Sequence, residues 1–226
     1  MTRSTAAPAL HVYAADISPF AQRVIIQLQA KGLPFTEALP PGGLASEAYA
    51  KINPIRKMPT LRIGEATHLP ESEVICEYIE DLHPEPSLRP QDPFVRAQMR
   101  LIARIIDLYV MNPMMPLFKN LARDTRDEAV VAASLAAISN GLDWLEPHVA
   151  PGPYAVDGRL TLADCAAAPV LLYVTRYPPI FGMKAPLATR PNLAAYLAAV
   201  REDPHVGAAL ARIEAGWDAL RRGAAH

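Results

Sequence analysis

The chain has little with which to build a disulfide framework or a metal centre. Its 226 residues include two cysteines, Cys76 and Cys165. They stand far apart in sequence, with no Cys-x-x-Cys and no histidine at metal-ligand spacing, so neither a disulfide scaffold nor a zinc site is expected. A reducing cytoplasm is the expected compartment. Charge of one sign is also missing. The formal net charge is −1, which gives no electrostatic case for nucleic acid or an anionic membrane. No window approaches the roughly eighteen uncharged apolar residues that a membrane span needs. The first residues, Met1–Pro8, carry no apolar core of a secretory leader. What is present is an ordinary globular mixture, 51% apolar and 20% charged. It is long enough to bury a real core as one large domain or two small ones.

The first eighty residues alternate in type. Leu10–Ala14 reads as a buried strand, Pro19–Lys31 as a helix stopped by Gly32, Phe35–Leu39 as a strand and Ala45–Ile52 as a short helix. Pro59–Ile63 and Ala66–Leu69 read as short strands about the turn Gly64-Glu65, and Glu71–Leu82 as an amphipathic helix. The order βαβαββα predicts a small mixed sheet with helices packed on it. His83–Pro93 holds four prolines in eleven residues, a linker signature. After it only helical patterns occur: Phe94–Val110 continuing toward Leu121, Glu128–Val149, Leu162–Tyr177, Asn192–Arg201 and Val206–Ala219. The expected organisation is an α/β domain over 1–82, a linker over 83–93 and an all-α domain over 94–226.

Three short motifs carry chemistry. In Asp16-Ile17-Ser18-Pro19-Phe20, a serine and a proline sit where a strand turns into a helix. Ser18 is a good N-cap and Pro19 a good first helical residue. The same place presents free N–H groups and a positive helix end to an anion, and a hydroxyl there can donate to a thiolate or an oxyanion. In Asn53-Pro54-Ile55-Arg56-Lys57-Met58-Pro59, the proline opens a strand, and a cis bond would aim the Met58 backbone outward. Lys57 reads as a solvated charge. In Pro70-Glu71-Ser72-Glu73, the acid and the serine suit a helix cap. They also suit recognition of an amino-acid end, Ser72 and N–H groups holding a carboxylate and Glu71 an ammonium.

Taken in order, "SPFAQRV", "NPIRKMPTL", "ESEVICEYIEDLHP" and "RLTLADCAAAPVL" resemble the cytosolic glutathione transferases from Leu10 to about Trp217. The resemblance implies the glutathione transferase fold, a thioredoxin-like domain followed by a helical one. It implies glutathione as co-substrate with no metal, and an electrophilic, partly apolar second substrate. It also implies a homodimer that binds neither nucleic acid nor membrane and serves detoxification. The Ser-Pro-Phe form is most similar to serine-type, tau-like members; omega-like relatives place a cysteine at this position. By this resemblance Ser18 assists the glutathione thiol, the Met58 backbone before a cis Pro59 pairs with the cysteinyl backbone, Glu71 and Ser72 hold the γ-glutamyl end, and Lys57 approaches the glycine carboxylate. A second lysine that tau-like members place after strand two has no counterpart, since Pro40-Pro41-Gly42-Gly43 stands there.

A single hydroxyl hydrogen cannot serve both a sulfur and the backbone. The expectation is therefore that Pro19 and the backbone set the turn and that the Ser18 hydroxyl points at the thiol. Two prolines, Pro113 and Pro116, are expected to kink or interrupt the helix begun at Phe94. Phe20, Tyr109, Met111, Met115 and Trp217 are candidates to line the second-substrate pocket, His11 and Arg23 read as structural, and His83 belongs to the linker. Thr161 and Asp164 have capping-box spacing and no chemistry. Cys76 and Cys165 read as inert core thiols. Two alternatives share this fold: a glutathione-dependent isomerase, lyase or thiol-disulfide reductase, and a non-catalytic glutathione-binding module.

Overall fold

A computed structural model describes residues 9–223. Met1–Pro8, where no secretory leader is expected, lies outside them. The chain divides into two compact units, one formed by the residues up to Ser87 together with those from Arg212 onward, the other by Leu88–Ala211.

In the first unit, β1 (Leu10–Tyr13), α1 (Pro19–Ala30), β2 (Phe35–Ala38), α2 (Glu47–Ala50), β3 (Thr60–Ile63), β4 (Thr67–Pro70) and α3 (Ser72–Leu82) follow the predicted order. The sheet runs β2-β1-β3-β4. β1 is parallel to β2 and antiparallel to β3, which is antiparallel to β4. Leu10, Val12 and Leu61 from the sheet, Val24, Ile25 and Leu28 from α1 and Ile75 and Ile79 from α3 are all buried. Gly32 stops α1 because the turn needs a left-handed residue: its φ is +63°. The Gly32 N–H reaches the Gln29 carbonyl at 2.9 Å and the Leu33 N–H the Leu28 carbonyl at 3.0 Å, the two bonds of a Schellman stop. The helix expected over Ala45–Ile52 is shorter, because Ser46 Oγ accepts the Tyr49 N–H at 3.0 Å and so caps α2 at Glu47.

One polar cluster in this unit is buried. Lys31 Nζ sits 2.8 Å from Glu80 Oε1, both side chains essentially inaccessible. The ammonium also donates to the His83 and Pro86 carbonyls at 2.8 and 2.7 Å. Gln27 Nε2 donates to Glu80 Oε1 at 3.1 Å and to the Cys76 carbonyl at 2.8 Å. Burial pushes the neighbouring Cys76 thiol well up, so it stays protonated.

The second unit contains helices: α4 (Pro93–Ile105), a π-helical turn (Ile106–Met111), α5 (Asn112–Lys119), α6 (Glu128–Leu145), α7 (Leu162–Arg176) and α8 (Pro191–Ala199). α9 (Pro204–Gly223) crosses the division at Ala211. The irregularity expected from the prolines lies upstream of them, in the widened π turn. Pro113 then opens α5 at its first turn and Pro116 follows inside it. The run Pro93–Lys119 is long and apolar enough to cross a membrane by length and composition. Its Met99, Ile102, Ile106, Val110, Met114 and Leu117 are buried. α7 is buried on every side from Leu162 to Val174, as an apolar helix at the centre of a helical unit must be.

The capping box at the start of α7 forms. Asp164 Oδ2 accepts the Thr161 N–H at 2.8 Å and the Thr161 hydroxyl at 3.0 Å, and Oδ1 accepts the Ala155 N–H at 2.7 Å. Burial raises the Asp164 carboxyl from 3.8 to about 6, although these donors pull it back. An acid with a raised native pKa holds its proton more tightly when folded. Its contribution is therefore intact below pH 3.8 and is lost as pH rises toward 6. In urea titrations, wild type should lose up to about 3 kcal/mol relative to Asp164→Asn between pH 3.8 and 7. A change of opposite sign would show that the donors outweigh burial.

Candidate active site

The β1–α1 junction holds Ser18 at the N-cap of α1, with Pro19 in the first turn. Ser18 Oγ accepts the Ala21 N–H at 3.2 Å, which corrects the expectation that the hydroxyl leaves the backbone alone. The expectation erred in treating cap and donor as rivals. A cap uses an oxygen lone pair, and the hydroxyl keeps its hydrogen to give. The junction is braced by Gln22 Nε2, which donates to the Asp16 carbonyl at 3.0 Å. It is also braced from α9: Arg212 Nη2 donates to Asp16 Oδ1 at 2.6 Å and to Glu37 Oε2 at 2.8 Å. Gly216 lets α9 approach closely, since a Cβ there would stand 2.5 Å from Ile17 Cγ2.

Phe20, Asn53, Lys57, Met58, Pro59, Glu71 and Ser72 line one cavity of about 80 Å³. The sequence-predicted residues Lys57, Met58, Pro59, Glu71 and Ser72 thus come together. Ser18 is not itself in the lining but precedes Phe20 by two residues. The Met58–Pro59 peptide is cis. Lys57 is the one cation lining the cavity. Such a volume suits the head of a peptide rather than a whole tripeptide.

Glu71 departs from the cap reading. It occupies the N-cap position of α3 yet makes no side-chain cap bond. Its φ of +70° and ψ of +111° lie in a region that costs a non-glycine residue roughly 1–3 kcal/mol. The carboxylate is exposed at a cavity wall. Next to it, Ser72 is buried. Behind Phe20, the buried Arg23 guanidinium lies 5.5 Å from the ring centroid and pairs with Glu73 at 3.3 Å, tying α1 to the first turn of α3.

Asn53 and Tyr49 are the contributors that sequence reasoning missed. Asn53 Nδ2 donates to the Lys57 carbonyl at 2.8 Å and to Thr60 Oγ1 at 2.9 Å, while its Oδ1 accepts the Ile55 N–H at 2.9 Å. The Tyr49 hydroxyl donates to the same Lys57 carbonyl at 2.7 Å and lies 2.8 Å from Thr60 Oγ1. Together they fix the turn that presents Lys57 and Met58. The available signal was the Asn53-Pro54 pair, a turn initiator. Asn53→Ala should cost about 1–3 kcal/mol of stability in urea unfolding, because its three hydrogen bonds are lost; an unchanged stability would show that the turn holds without it.

The second-substrate candidates fall in different units. Phe20 lines the cavity above, and Trp217, also in the first unit, is buried. In the second unit Tyr109 and Met111 belong to the π turn and Met115 to α5. Tyr109 is exposed and packs edge-on against Trp144 at 5.1 Å, Met115 is exposed and Met111 is buried.

Residues 12–87 match the glutathione S-transferase N-terminal domain family and residues 128–199 the C-terminal domain family. A glutathione S-transferase of Pseudomonas putida is 29% identical over 93% of this chain and 96% of its own. Rat maleylacetoacetate isomerase is 32% identical over 69% of this chain and 73% of its own. The crystal structure of a Methylobacterium radiotolerans glutathione S-transferase in complex with glutathione sulfonate superposes with a TM-score of 0.77. It is 26% identical, covering 89% of this chain and 94% of that one.

Proposed function

The chain belongs to the glutathione S-transferase family, and from that premise we propose that its first unit binds glutathione with the thiol beside Ser18. The observation that carries this is Glu71, an exposed carboxylate held in a costly backbone conformation at the wall of the Lys57–Ser72 cavity. A strained residue without a cap bond needs another reason to be there, and an ammonium ligand supplies one. Glu71 takes the γ-glutamyl ammonium, Ser72 and the first N–H groups of α3 take its carboxylate, and the Met58 backbone pairs with the cysteinyl unit. Lys57 approaches the glycine carboxylate.

The chemistry needs no general base. A free thiol of pKa about 8.5 is only a few per cent ionised at neutral pH. A hydrogen bond from the Ser18 hydroxyl to the charged sulfur, worth about 1.5–3 kcal/mol, lowers that pKa by about one to two units. The N-terminus of α1 acts in the same direction. The thiolate then attacks an electrophilic carbon of a partly apolar small molecule. A C–S bond forms, and the leaving group departs with its electron pair. Phe20, at the cavity wall, offers the apolar surface beside the sulfur. The homodimer, the cytoplasmic location and the role in detoxification belong to the same proposal and rest on family membership.

The similarity to maleylacetoacetate isomerase favours a second reading. Here the thiolate adds to a carbon–carbon double bond, the resulting single bond rotates, and elimination restores the alkene and releases the thiolate. Glutathione is consumed in the transferase reaction and regenerated in the isomerase one. Assays of purified protein with 1-chloro-2,4-dinitrobenzene and with a cis-unsaturated diacid, each with glutathione, separate the two. Turnover of neither substrate, with no binding of glutathione by calorimetry, would overturn both.

A further inference from the structure

Residues 15–18, between the end of β1 and the start of α1, are held from outside the sheet. The last tie to the strands is the Ala14 N–H, which donates to the Ala38 carbonyl at 2.9 Å. Beyond it, the Ser18 N–H closes a turn on the Ala15 carbonyl at 2.9 Å, and Gln22 donates to the Asp16 carbonyl. Both bonds are local to the turn and α1, so neither sets where the turn stands against β2. Two residues of α9 do. Arg212 and Gly216 are four apart, one turn along a single face of that helix, and both belong to the first unit.

Arg212 acts as a clasp. Its Nη1 and Nη2 meet the two Glu37 carboxylate oxygens at 3.1 and 2.8 Å, while Nε and Nη2 meet Asp16 Oδ1 at 3.2 and 2.6 Å. Glu37 lies on β2 opposite Val12, so the guanidinium ties Asp16 to the sheet. Gly216 is the second hold. A Cβ there would stand 2.5 Å from Ile17 Cγ2 and 3.8 Å from Asp16 Cβ. Because that methyl is fixed on a branched carbon, the Ile17 backbone rather than a rotamer would have to yield. α9 thus touches the two residues immediately before Ser18. The three charged side chains are between 30% and 57% exposed, and pairs so exposed add little to folding stability. What the clasp sets is position.

We infer that Arg212 and Gly216 are positioning residues for the reaction: from α9 they hold Asp16 and Ile17 so that the Ser18 hydroxyl is aimed at the sulfur. This rests on the glutathione reading above, with Ser18 as the donor. A hydrogen bond weakens steeply as its angle falls. A small displacement of the junction therefore lowers the share of bound thiol that is ionised, while the groups placed at the γ-glutamyl end, Glu71 and Ser72, stay where they are. The effect reaches the sulfur only through Ser18, so it appears as a shift in thiol ionisation.

The test is the ultraviolet thiolate absorbance of bound glutathione, followed against pH in the full chain and in variants that loosen the hold with different changes of charge. Arg212→Gln removes a positive charge, Asp16→Ala a negative one, and Gly216→Ala none. All should raise the bound-thiol pKa by about 0.5–1 unit and lower kcat/KM below that pKa by about three- to tenfold. Glutathione affinity, measured where the thiol is protonated, should stay as in wild type, which separates a misaimed hydroxyl from a disordered site. A simple charge effect gives another order: up for Arg212→Gln, down for Asp16→Ala and unchanged for Gly216→Ala. That order, or a thiol pKa equal to wild type in every variant, would overturn the positioning role and leave the glutathione reading in place. A wild-type thiol that titrates at its free value would overturn both.

Discussion

Ser18→Ala should lower kcat/KM for conjugation of 1-chloro-2,4-dinitrobenzene by about 10- to 100-fold at neutral pH, the worth of one hydrogen bond to a charged sulfur. The loss should appear in the thiolate population rather than in glutathione affinity, because the groups placed at the γ-glutamyl end are untouched. Two consequences distinguish this role from a structural one. The pH–rate profile of the variant should move up by about one to two units, so that its rate approaches wild type once the pH exceeds the free thiol pKa. Ser18→Thr, which keeps a hydroxyl able both to accept the Ala21 N–H and to donate, should retain most of the activity. Loss of the cap alone costs about 1 kcal/mol of stability, which leaves the pH profile where it was. A Ser18→Ala enzyme with an unshifted profile would reduce Ser18 to its cap.

Lys31→Ala should destabilise the protein by about 3–5 kcal/mol, because it strips the partner from a buried carboxylate. The three protons of the Lys31 ammonium have three acceptors, Glu80 Oε1 and the His83 and Pro86 carbonyls. The side chain is therefore fully satisfied and closes the C-terminal end of α1 onto α3 and the start of the proline-rich segment. Removing the amine takes the ammonium away from a buried carboxylate that Gln27 and Ser87 also contact. Lys31→Met combined with Glu80→Leu removes both charges at similar volume and should recover most of the loss. Urea unfolding of the two single variants and the double variant gives the coupling. If the single variant loses less than about 1 kcal/mol, the pair is solvated rather than buried.

The sequence showed most where local pattern alone decides structure. Alternation and apolar runs located all four strands, Gly32 marked the end of α1, and Thr161 with Asp164 marked the start of α7. Lys31 and Glu80 show the limit. Each reads as an ordinary polar position on a helix, and only the packing of α1 on α3, with the chain folding back at Pro86, makes them a buried pair. Likewise Asn53 sat inside a quoted motif without a role, because its three hydrogen bonds depend on a turn whose geometry no spacing reveals. Ser18 was legible as both cap and donor. The Ala21 N–H donates to its oxygen, so the cap leaves the hydroxyl hydrogen available to another acceptor. At Glu71 residue type fits a cap as well as an ammonium partner, and the left-handed backbone without a side-chain cap bond is a conformation that no spacing in the sequence reveals.

Everything proposed for the reaction rests on the Ser18 hydroxyl stabilising a glutathione thiolate. Ultraviolet thiolate absorbance of enzyme-bound glutathione, followed against pH in wild type and Ser18→Ala, measures this directly. A bound-thiol pKa of about 6.5–7.5 is expected in wild type, rising to about 8.5, the free value, in the variant. A bound thiol that titrates at the free value in wild type, or at the same pH in both proteins, would contradict it.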